Sequence, residues 1–489
     1  MSPSFKLITV AIATTAAVAV SFSAASASPA GSAVKPGRVG KTITLDSNME
    51  LIAYDVASDA SGRAYVGWIS DKGSDGRKIH LCVLPPGARQ CKGGIQTIGA
   101  PQPFGPSTSQ GLRVLATPGG VVTLVWMLDT PASENGPQAS EIATATMRPG
   151  GHLSQATEVA TAPSFGTMLD ATSGPNGSIW VITEKSVVNG VQVREGLSGS
   201  FVNLRTPYGV GAARLRFSHG VGVLVIQKDG AISAPVAAGS FRNGAFSGFS
   251  KVRKTWTSDA TLGLTATTSG IRMVTSVNNP SYRPVIWSWG GSGFGHPTLT
   301  GDFNACTPSS HDLVADASGR AADVSKECSD VAIANLADTR HAAVTRFSER
   351  ATLAGGDPQL TTNPRGTGWV VWSIQAPITN KLFVAPIVLP DRVVTASASG
   401  RRNRVTVHGP ASCLPPVDIA VGVTAKPARK WHVVSKTLRL GTSVLHSATL
   451  HGGGLTAGKT YILSGTVKFA SGGSHVTVTA KVKFRSCPK

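Results

Sequence analysis

Residues 54–70 read YDVASDASGRAYVGWIS, and residues 112–128 read LRVLATPGGVVTLVWML. Each stretch contains two apolar runs with two-residue alternation, joined by a short turn that ends in glycine. Such turns favour Asp, Asn and Gly, because Asx side chains bond the local backbone and glycine readily adopts a positive φ. The pattern predicts a β-hairpin.

The same phrase returns five more times, at residues 169–184, 214–227, 262–277, 311–326 and 358–374. A second hairpin follows each copy, which gives four strands per unit. Four strands per ~50 residues is the period of a β-propeller blade. We therefore predict an all-β protein with a seven-bladed propeller over residues 39–390, with six blades as the alternative. The seven turn glycines lie 43 to 58 residues apart and are Gly62, Gly120, Gly177, Gly220, Gly270, Gly319 and Gly366.

The ring needs a closing strand, because the seventh unit has only three strands before Pro390. We expect Val39 to Leu45 to supply the fourth strand and so remove an exposed sheet edge. Trp68, Trp126 and Trp372 each lie six residues after a turn glycine. These bulky side chains are predicted to fill the space between neighbouring blades.

The repeat resembles that of secreted bacterial β-propeller proteins over roughly residues 40 to 390. The sialidase Asp-box, S-x-D-x-G-x-T-W, is absent, since the tryptophan here lies six places after the glycine. There is no series of Trp-Asp dipeptides either. The resemblance therefore implies a fold and carries over no functional residues.

The first 27 residues have the pattern of a signal peptide. Lys6 is followed by an apolar run, Leu7 to Val20, and by the small-residue cleavage site Ala25-Ser26-Ala27. Residues 28–38 are expected to be a linker. No later apolar run reaches ~18 residues, so no transmembrane segment is expected. The predicted location is secreted, either extracellular or loosely associated with the cell surface.

Six cysteines agree with export to an oxidising compartment. Six cysteines allow fifteen pairings, and sequential pairing fits the hairpin interpretation best. The expected disulfides are Cys82–Cys91, Cys306–Cys328 and Cys413–Cys487. Zinc sites need short spacings such as C-x-x-C, which the chain lacks, so we expect no metal and no cofactor.

Residues 391–489 differ in composition and are predicted to form an Ig-like β-sandwich. They contain fifteen Lys or Arg and two acids, so 15 − 2 = +13 of the net charge of +20 lies here. The final strand, from His475, should turn its valines inward and its cations outward. We predict a polyanion-binding face at Lys468, Lys481, Lys483 and Arg485; the alternative is a solvated face that prevents edge aggregation. Few aromatic residues are available for base stacking, which argues against nucleic acid.

The mouth of a propeller funnel is the usual place for a ligand, and the starts of the inner strands should line it. That reasoning predicts a mixed rim of Glu50, Gln110, Arg214, His311 and Gln359. Asp170, Asp312 and Asp357 lie close by in sequence and could contribute. Inner-strand aspartates such as Asp59 are expected to be turn residues instead.

One motif suggests a nucleotide site. Gly453 to Thr460 reads GGLTAGKT, a formal phosphate-loop match. A phosphate loop must be followed by a helix, whereas TYILSGTVKF has the two-residue period of a strand. We therefore expect a turn and no nucleotide.

Together these features predict an exported, non-enzymatic binding protein. The propeller would be its ligand or partner platform, and the basic domain would tether it to the envelope or another polyanion. The alternatives are a secreted carbohydrate-active hydrolase or lyase with its site in the funnel, and a scaffold module without a small-molecule site. Expected partners are a cell-wall polymer, a glycan or an extracellular protein.

Overall fold

The structure is a computed structural model of the chain. The signal-peptide and linker predictions, residues 1–37, lie outside the residues it describes. The described residues are 38–71, 77–99, 111–117, 119–129, 140–162, 168–184, 190–196, 200–229, 235–252, 262–267, 270–278, 282–295, 298–299, 308–316, 321–327, 330–335, 343–346, 357–363, 366–375, 380–389, 393–410, 413–414, 418–451, 454–456 and 459–486.

The described part of the chain is all-β. The strands before residue 390 are β1 Arg38–Val39, β2 Ile43–Ser58, β3 Ala64–Asp71, β4 Arg77–Leu84, β5 Gln96–Gly99, β6 Leu112–Ala116, β7 Val122–Asp129, β8 Ser140–Met147, β9 Thr157–Ala162, β10 Met168–Ser173, β11 Ile179–Glu184, β12 Gly190–Glu195, β13 Phe201–Arg205, β14 Val210–Ser218, β15 Val221–Lys228, β16 Val236–Arg242, β17 Ala245–Phe246, β18 Ser250–Lys251, β19 Gly263–Thr267, β20 Gly270–Asn278, β21 Tyr282–Ser288, β22 Thr298–Leu299, β23 Pro308–Ala315, β24 Ala321–Glu327, β25 Asp330–Asn335, β26 Ala343–Arg346, β27 Gln359–Thr362, β28 Thr367–Gln375 and β29 Asn380–Val388.

These strands form antiparallel sheets in chain order. Five separate sheets begin with β6, β10, β14, β19 and β23, and the strands β27-β28-β29-β2-β3-β4-β5 form one continuous path. The first strands contact one another in the order β2, β6, β10, β14, β19, β23, β27, and β27 contacts β2 again. The contacts therefore form a closed cycle, as in a propeller.

The strand β2 takes part in two sheets, which is how the cycle closes. Its first half pairs with β29, with Ile43 opposite Val384, and its second half pairs with β3, with Asp55 opposite Gly67. The strand expected at Val39 to Leu45 is thus found in β1 and β2, both of which pair with β29. The Trp369 indole N–H also donates to the Gly62 carbonyl at 3.1 Å, joining the last hairpin to the first.

Tryptophan side chains fill the spaces between sheets, as predicted. Trp68 packs with Trp369 of the seventh unit, and Trp126 packs with Tyr65 of the first unit. Trp372 packs with Val324 of the sixth unit. All three tryptophans are at most 3% exposed. Each one faces the preceding unit, so one sequence position repeatedly supplies the apolar contact between neighbours.

The hairpin turns also follow the prediction. The six turn glycines in the described residues have φ values from +73° at Gly177 to +125° at Gly270. The Asp59 carboxylate accepts the backbone N–H groups of Ser61 and Arg63 at 2.9 and 3.1 Å. Asp59 is therefore a turn residue.

The Cys82–Cys91 disulfide is confirmed, with 5.3 Å between the Cα atoms. Cys82 lies on β4, but Cys91 lies in the connection to β5 rather than on a strand, which corrects the expected placement on two hairpin arms. A disulfide is typical of an oxidising compartment. The cysteines Cys306, Cys328 and Cys487 lie outside the described residues, and so does the side chain of Cys413, whose backbone is part of a strand.

The strands after residue 390 pair among themselves. They are β30 Val393–Gly400, β31 Asn403–Pro410, β32 Cys413–Leu414, β33 Asp418–Ala420, β34 Gly422–Lys426, β35 His432–Leu440, β36 Ser443–Val444, β37 Thr449–His451, β38 Thr460–Ser471 and β39 Ser474–Ser486. One sheet has the order β30-β31-β34, and a second has the order β32-β39-β38-β35-β36. Buried residues of both sheets, such as Val407 and Leu463, share one core.

Residues 418–425 are divided between two sheets, since β33 pairs with β37 whereas β34 pairs with β31. The chain thus changes sheets at Val421. The last hairpin has a tight turn at Gly472 and Gly473, both with positive φ. The long strand β35 was not predicted.

The phosphate-loop match at Gly453 to Thr460 leads into a strand, since β38 begins at Thr460. The helix that would position phosphate is therefore replaced by a strand. Among the described residues, no helix has the length and apolar character needed to cross a membrane.

Candidate functional site

One position of the repeat places a side chain near the axis of the ring in six of the seven units. It lies seven residues before the turn glycine, or six in the shorter fourth hairpin. We call it the axial position. Its occupants are Asp55, Arg113, Asp170, Arg214, Gly263, Asp312 and Gln359.

The three axial aspartates join neighbouring sheets in the same way. Asp55 accepts the backbone N–H of Val114 at 2.7 Å, and Asp170 accepts that of Leu215 at 2.9 Å. Asp312 accepts that of Leu360 at 2.7 Å. In each case the donor belongs to the first strand of the next sheet. A buried N–H gains a charge-assisted hydrogen bond, so these aspartates stabilise the contact between units.

Asp170 is also the centre of an ion-pair cluster. Its carboxylate accepts from Arg113 Nε at 3.1 Å and from Arg216 Nη1 at 2.6 Å, and its side chain is completely buried. Burial acts to raise the pKa of Asp170, but Arg216, Arg113 and Arg214 outweigh that effect and lower it. Asp170 is thus held as a carboxylate that neutralises cations from two neighbouring sheets.

A cavity of about 250 Å³ lies at the centre of the cycle, and all seven first strands contribute to its lining. Its charged and amide lining side chains are Asp55, Arg113, Arg214, Arg216, Asp312 and Gln359. The hydroxyl side chains Thr172, Ser173 and Thr265 also line it. No His, Lys or Tyr is found in this lining among the described residues.

The aspartates that line the cavity differ electrostatically from Asp170. Burial raises the pKa of Asp312 to about 6, against the lowering effect of the Leu360 hydrogen bond and of Arg216. Burial likewise raises the pKa of Asp55, although Arg113 opposes it. Neither residue has a salt bridge among those found in the described residues. Asp312 can therefore exchange a proton at mildly acidic pH more readily than Asp170 can.

The arginines of the cavity also differ from one another in their pKa shifts and hydrogen-bond partners. Asp170 and Asp55 raise the pKa of Arg113, although burial opposes them. Burial and repulsion from Arg113 lower the pKa of Arg214. The Nη1 group of Arg214 donates to the carbonyls of Leu169 and Ala213 at 2.8 and 3.0 Å, and the described residues provide it with no carboxylate hydrogen bond.

The predicted rim residues occupy different environments. Arg214 and Gln359 line the cavity. Glu50 is exposed at the start of its half of β2, and Gln110 lies outside the described residues. His311 is buried, and its Nδ1 lies 2.8 Å from Oδ2 of Asp323 on the neighbouring strand β24. Its side chain therefore does not line the cavity.

Sequence reasoning missed Asp55, Arg113 and Arg216 as cavity residues. It took the first residue of each inner strand as the rim, whereas Asp55 and Arg216 lie further along β2 and β14, and Arg113 is the second residue of β6. A signal was present, because a charged or amide residue recurs at a fixed offset before the turn glycine on otherwise apolar strands. Of the nearby aspartates, Asp312 lines the cavity and Asp170 is sealed within its ion-pair cluster.

A second candidate site lies on the outer face of the sheet that contains β35, β38 and β39. The described cations of this face, Arg439, Lys468, Lys481 and Lys483, are all exposed, and we call them the cationic face. Ser464 of β38 is opposite both Arg439 and Lys481, and Ile462 is opposite Lys483. Arg485 continues the alternation along β39, but its side chain is not described.

The inward residues of β39 are buried and the outward ones are exposed, as predicted: Val478 and Val482 are at most 5% exposed. No Asp or Glu occurs from Ile419 to Lys489, whereas eleven Lys or Arg do. The cationic face therefore has no acid of its own sheet to neutralise it. A row of threonines crosses its middle, with Thr466 and Thr479 hydroxyls 2.9 Å apart.

No group of His, Cys, Asp and Glu side chains in the described residues is suited to hold a metal ion. Comparison with family models gives no match, and comparison with curated proteins gives none either.

Several solved structures are distantly similar. A PL25 ulvan lyase is 12% identical and has a TM-score of 0.45, covering 71% of this chain and 94% of its own. The polysaccharide lyase Uly1 is 10% identical with a TM-score of 0.44, covering 68% and 89%. The propeller domain of the Trilobed protease from Pyrococcus furiosus is 9% identical with a TM-score of 0.41, covering 70% and 98%. At these values the likeness assigns no activity to this chain.

Proposed function

We propose that the protein is an exported binding protein with two parts. In this proposal, residues 39–390 form a seven-bladed propeller that serves as a ligand or partner platform. Residues 391–489 form a basic Ig-like sandwich that tethers the protein to an anionic polymer of the cell envelope. The signal-peptide pattern of residues 1–27 and the Cys82–Cys91 disulfide support export.

The observation that carries the tether is the cationic face. Its lysines are exposed on one flat sheet surface, and the sequence from Ile419 onward contains no acid. Arg439 and Lys481 flank Ser464 on neighbouring strands, which are about 4.8 Å apart. Lys468 lies four residues further along β38, so an extended polymer could contact these cations with successive anionic groups. Such contacts gain free energy largely by releasing counterions from the polyanion. A +13 balance also exceeds what solubility requires of a small domain.

The test is retention of the full-length protein on purified, polyanion-bearing cell-envelope material at low salt. The variant K468E/K481E/K483E reverses three charges of the cationic face. Each basic residue near an anionic surface contributes about 1 kcal/mol, so we expect retention to fall by about 100-fold.

The control is K92E/K251E/K381E, which makes the same charge change at exposed lysines before residue 390. We expect it to be retained like the unmodified protein at the same salt concentration. Equal loss in both triple variants would show that net charge alone causes retention, and no loss in either would exclude the tether.

A carbohydrate-active enzyme is the second candidate function. Asp312 favours it, because a carboxyl group with a pKa of about 6 beside Arg214 and Arg216 has the properties of a general acid. Release of reducing or unsaturated ends from anionic polysaccharides, abolished by Asp312→Asn, would support this activity. Full turnover by that variant would exclude Asp312 as its acid.

A further inference from the structure

The axial cavity has the chemistry of a binding site for a small anion. Three guanidinium groups, those of Arg113, Arg214 and Arg216, line it, together with two carboxyl groups. The third carboxylate, Asp170, is sealed from the cavity by complete burial, and it bonds Arg113 and Arg216. Arg214 is thus the cation that the ion-pair cluster leaves without a bonded carboxylate.

Some N–H groups of the Arg214 guanidinium have no hydrogen-bond partner among the described residues. A guanidinium has five N–H groups. Nη1 of Arg214 uses two on the carbonyls of Leu169 and Ala213, so three remain without a partner among the described residues. Arg214 is only partly buried, and none of its atoms is among the fully buried groups without a hydrogen-bond partner, so these donors can reach a ligand in the cavity. A planar carboxylate matches the fork of a guanidinium, because it can accept two parallel hydrogen bonds.

The axial position next to Arg214 carries no side chain. Gly263 occupies it in the fifth unit, and a Cβ there would come within 2.9 Å of the Leu313 backbone nitrogen and 2.8 Å of the Leu313 Cβ. Close packing of β19 on β23 therefore excludes a side chain at this point. As a result, no axial side chain stands between Arg214 and Asp312.

The rest of the lining suits hydroxyl groups. Gln359, Thr265 and Ser173 offer donors and acceptors, and Asp312 uses only one carboxylate oxygen on the Leu360 N–H. The cavity volume of about 250 Å³ can hold a ligand about the size of one sugar residue.

We propose that the axial cavity binds a small hydroxylated carboxylate, such as a sugar acid, with its carboxylate on Arg214 and its hydroxyl groups on Gln359, Thr265 and Asp312. This proposal deepens the ligand-platform half of the proposed function. It does not depend on the cationic face, so polymer retention and cavity binding can fail independently.

The test is calorimetric titration of the full-length protein with D-glucuronate and with D-glucose, which has the same ring but no carboxylate. We expect saturable binding of glucuronate with a Kd of about 1 mM or tighter, and binding of glucose at least about ten-fold weaker. Equal affinity for the two sugars, or no saturable binding of glucuronate, would overturn the proposal.

Two cavity variants and one control locate the site. Arg214→Gln should weaken glucuronate binding by about ten-fold or more, because it removes a charged donor. Gln359→Glu keeps the size of the side chain and adds a negative charge, so it should weaken glucuronate binding more than it weakens glucose binding. Arg205→Gln, at an exposed arginine of β13, should bind like the unmodified protein. Unchanged glucuronate affinity in a folded Gln359→Glu or Arg214→Gln variant would exclude the cavity.

Discussion

The axis of the ring and the cationic face are both rich in basic residues, but they use them differently. At the axis, Arg113 and Arg216 are mostly buried and bonded to the completely buried Asp170. On the cationic face, Lys481 and Lys483 are exposed, and the surrounding sequence offers no acid. At the axis the charges of Arg113 and Arg216 are neutralised within the chain, whereas on the cationic face the positive charge remains for an external partner.

The difference shows why net charge alone predicts little about function. A buried ion pair costs much to desolvate, and removing one partner leaves an uncompensated charge in the interior. An exposed lysine remains solvated in the folded protein and water screens its charge, so it contributes little to the free energy of unfolding. Charge reversal should therefore affect stability at the axis and binding on the face.

The largest expected effect is on stability at the axis. Asp170→Asn removes the charge that Arg113 and Arg216 share, and it should lower the free energy of unfolding by about 3–5 kcal/mol. The matched control is Asp229→Asn at an exposed site, which should stay within about 0.5 kcal/mol. Denaturant unfolding measures both. A change below about 1 kcal/mol in Asp170→Asn would contradict the view that this cluster joins the sheets.

A smaller effect of opposite sign is expected at Asp312. Its pKa is about 6 in the folded protein, above the ordinary value of 3.8, so the folded state binds the proton more tightly. The stability that this group contributes is present below pH 4 and is lost as pH rises through 6.

The asparagine variant tests that sign. Asp312→Asn keeps an acceptor for the Leu360 N–H and removes the charge, so it should raise the free energy of unfolding at pH 7 by about 3 kcal/mol. It should change little at pH 4. Unfolding curves at the two pH values measure this difference. If Asp312→Asn destabilised the protein equally at pH 4 and pH 7, ionisation of Asp312 would not cost the folded state any free energy.

The smallest effect on stability is expected for the cationic face. K468E/K481E/K483E changes only exposed side chains, and each substitution should shift the free energy of unfolding by no more than about 0.5 kcal/mol. Thermal unfolding of this variant and of the unmodified protein provides the comparison. A loss of several kcal/mol would mean that these lysines stabilise the C-terminal sheets and are not reserved for a partner.

The sequence predicts the repeated hairpins well, because each depends on local signals. The turn glycines, Asp59 and the inter-sheet tryptophans all follow from residues within about twenty positions of one another. The charged axis does not, because its partners lie on different units: Arg113 and Asp170 are 57 residues apart, and Asp170 and Arg216 are 46 apart. Nothing local shows that these charges meet.

In the C-terminal region, too, local sequence patterns predict some features, whereas others depend on contacts between distant residues. The alternation of β39 identifies Lys481 and Lys483 as outward residues without knowledge of any other strand. The strand β35 was missed because Val433 and Val434 interrupt its alternation, where the pairing with β38 shifts register. That strand adds Arg439 to the cationic face. The sequence alone could not place Arg439 there, because its position depends on the pairing of β35 with β38.

The most direct test of the tether is the salt dependence of binding to a defined polyanion. Fluorescence anisotropy with labelled polyphosphate gives the association constant at several salt concentrations. Each cation that contacts the polymer contributes a slope of about 0.7–0.9 in a plot of log K against log salt. We expect a steep decrease for the unmodified protein and for K92E/K251E/K381E, with the slope of K468E/K481E/K483E reduced by about 2 or more. Identical slopes for the two triple variants would show that the cationic face does not contact the polymer.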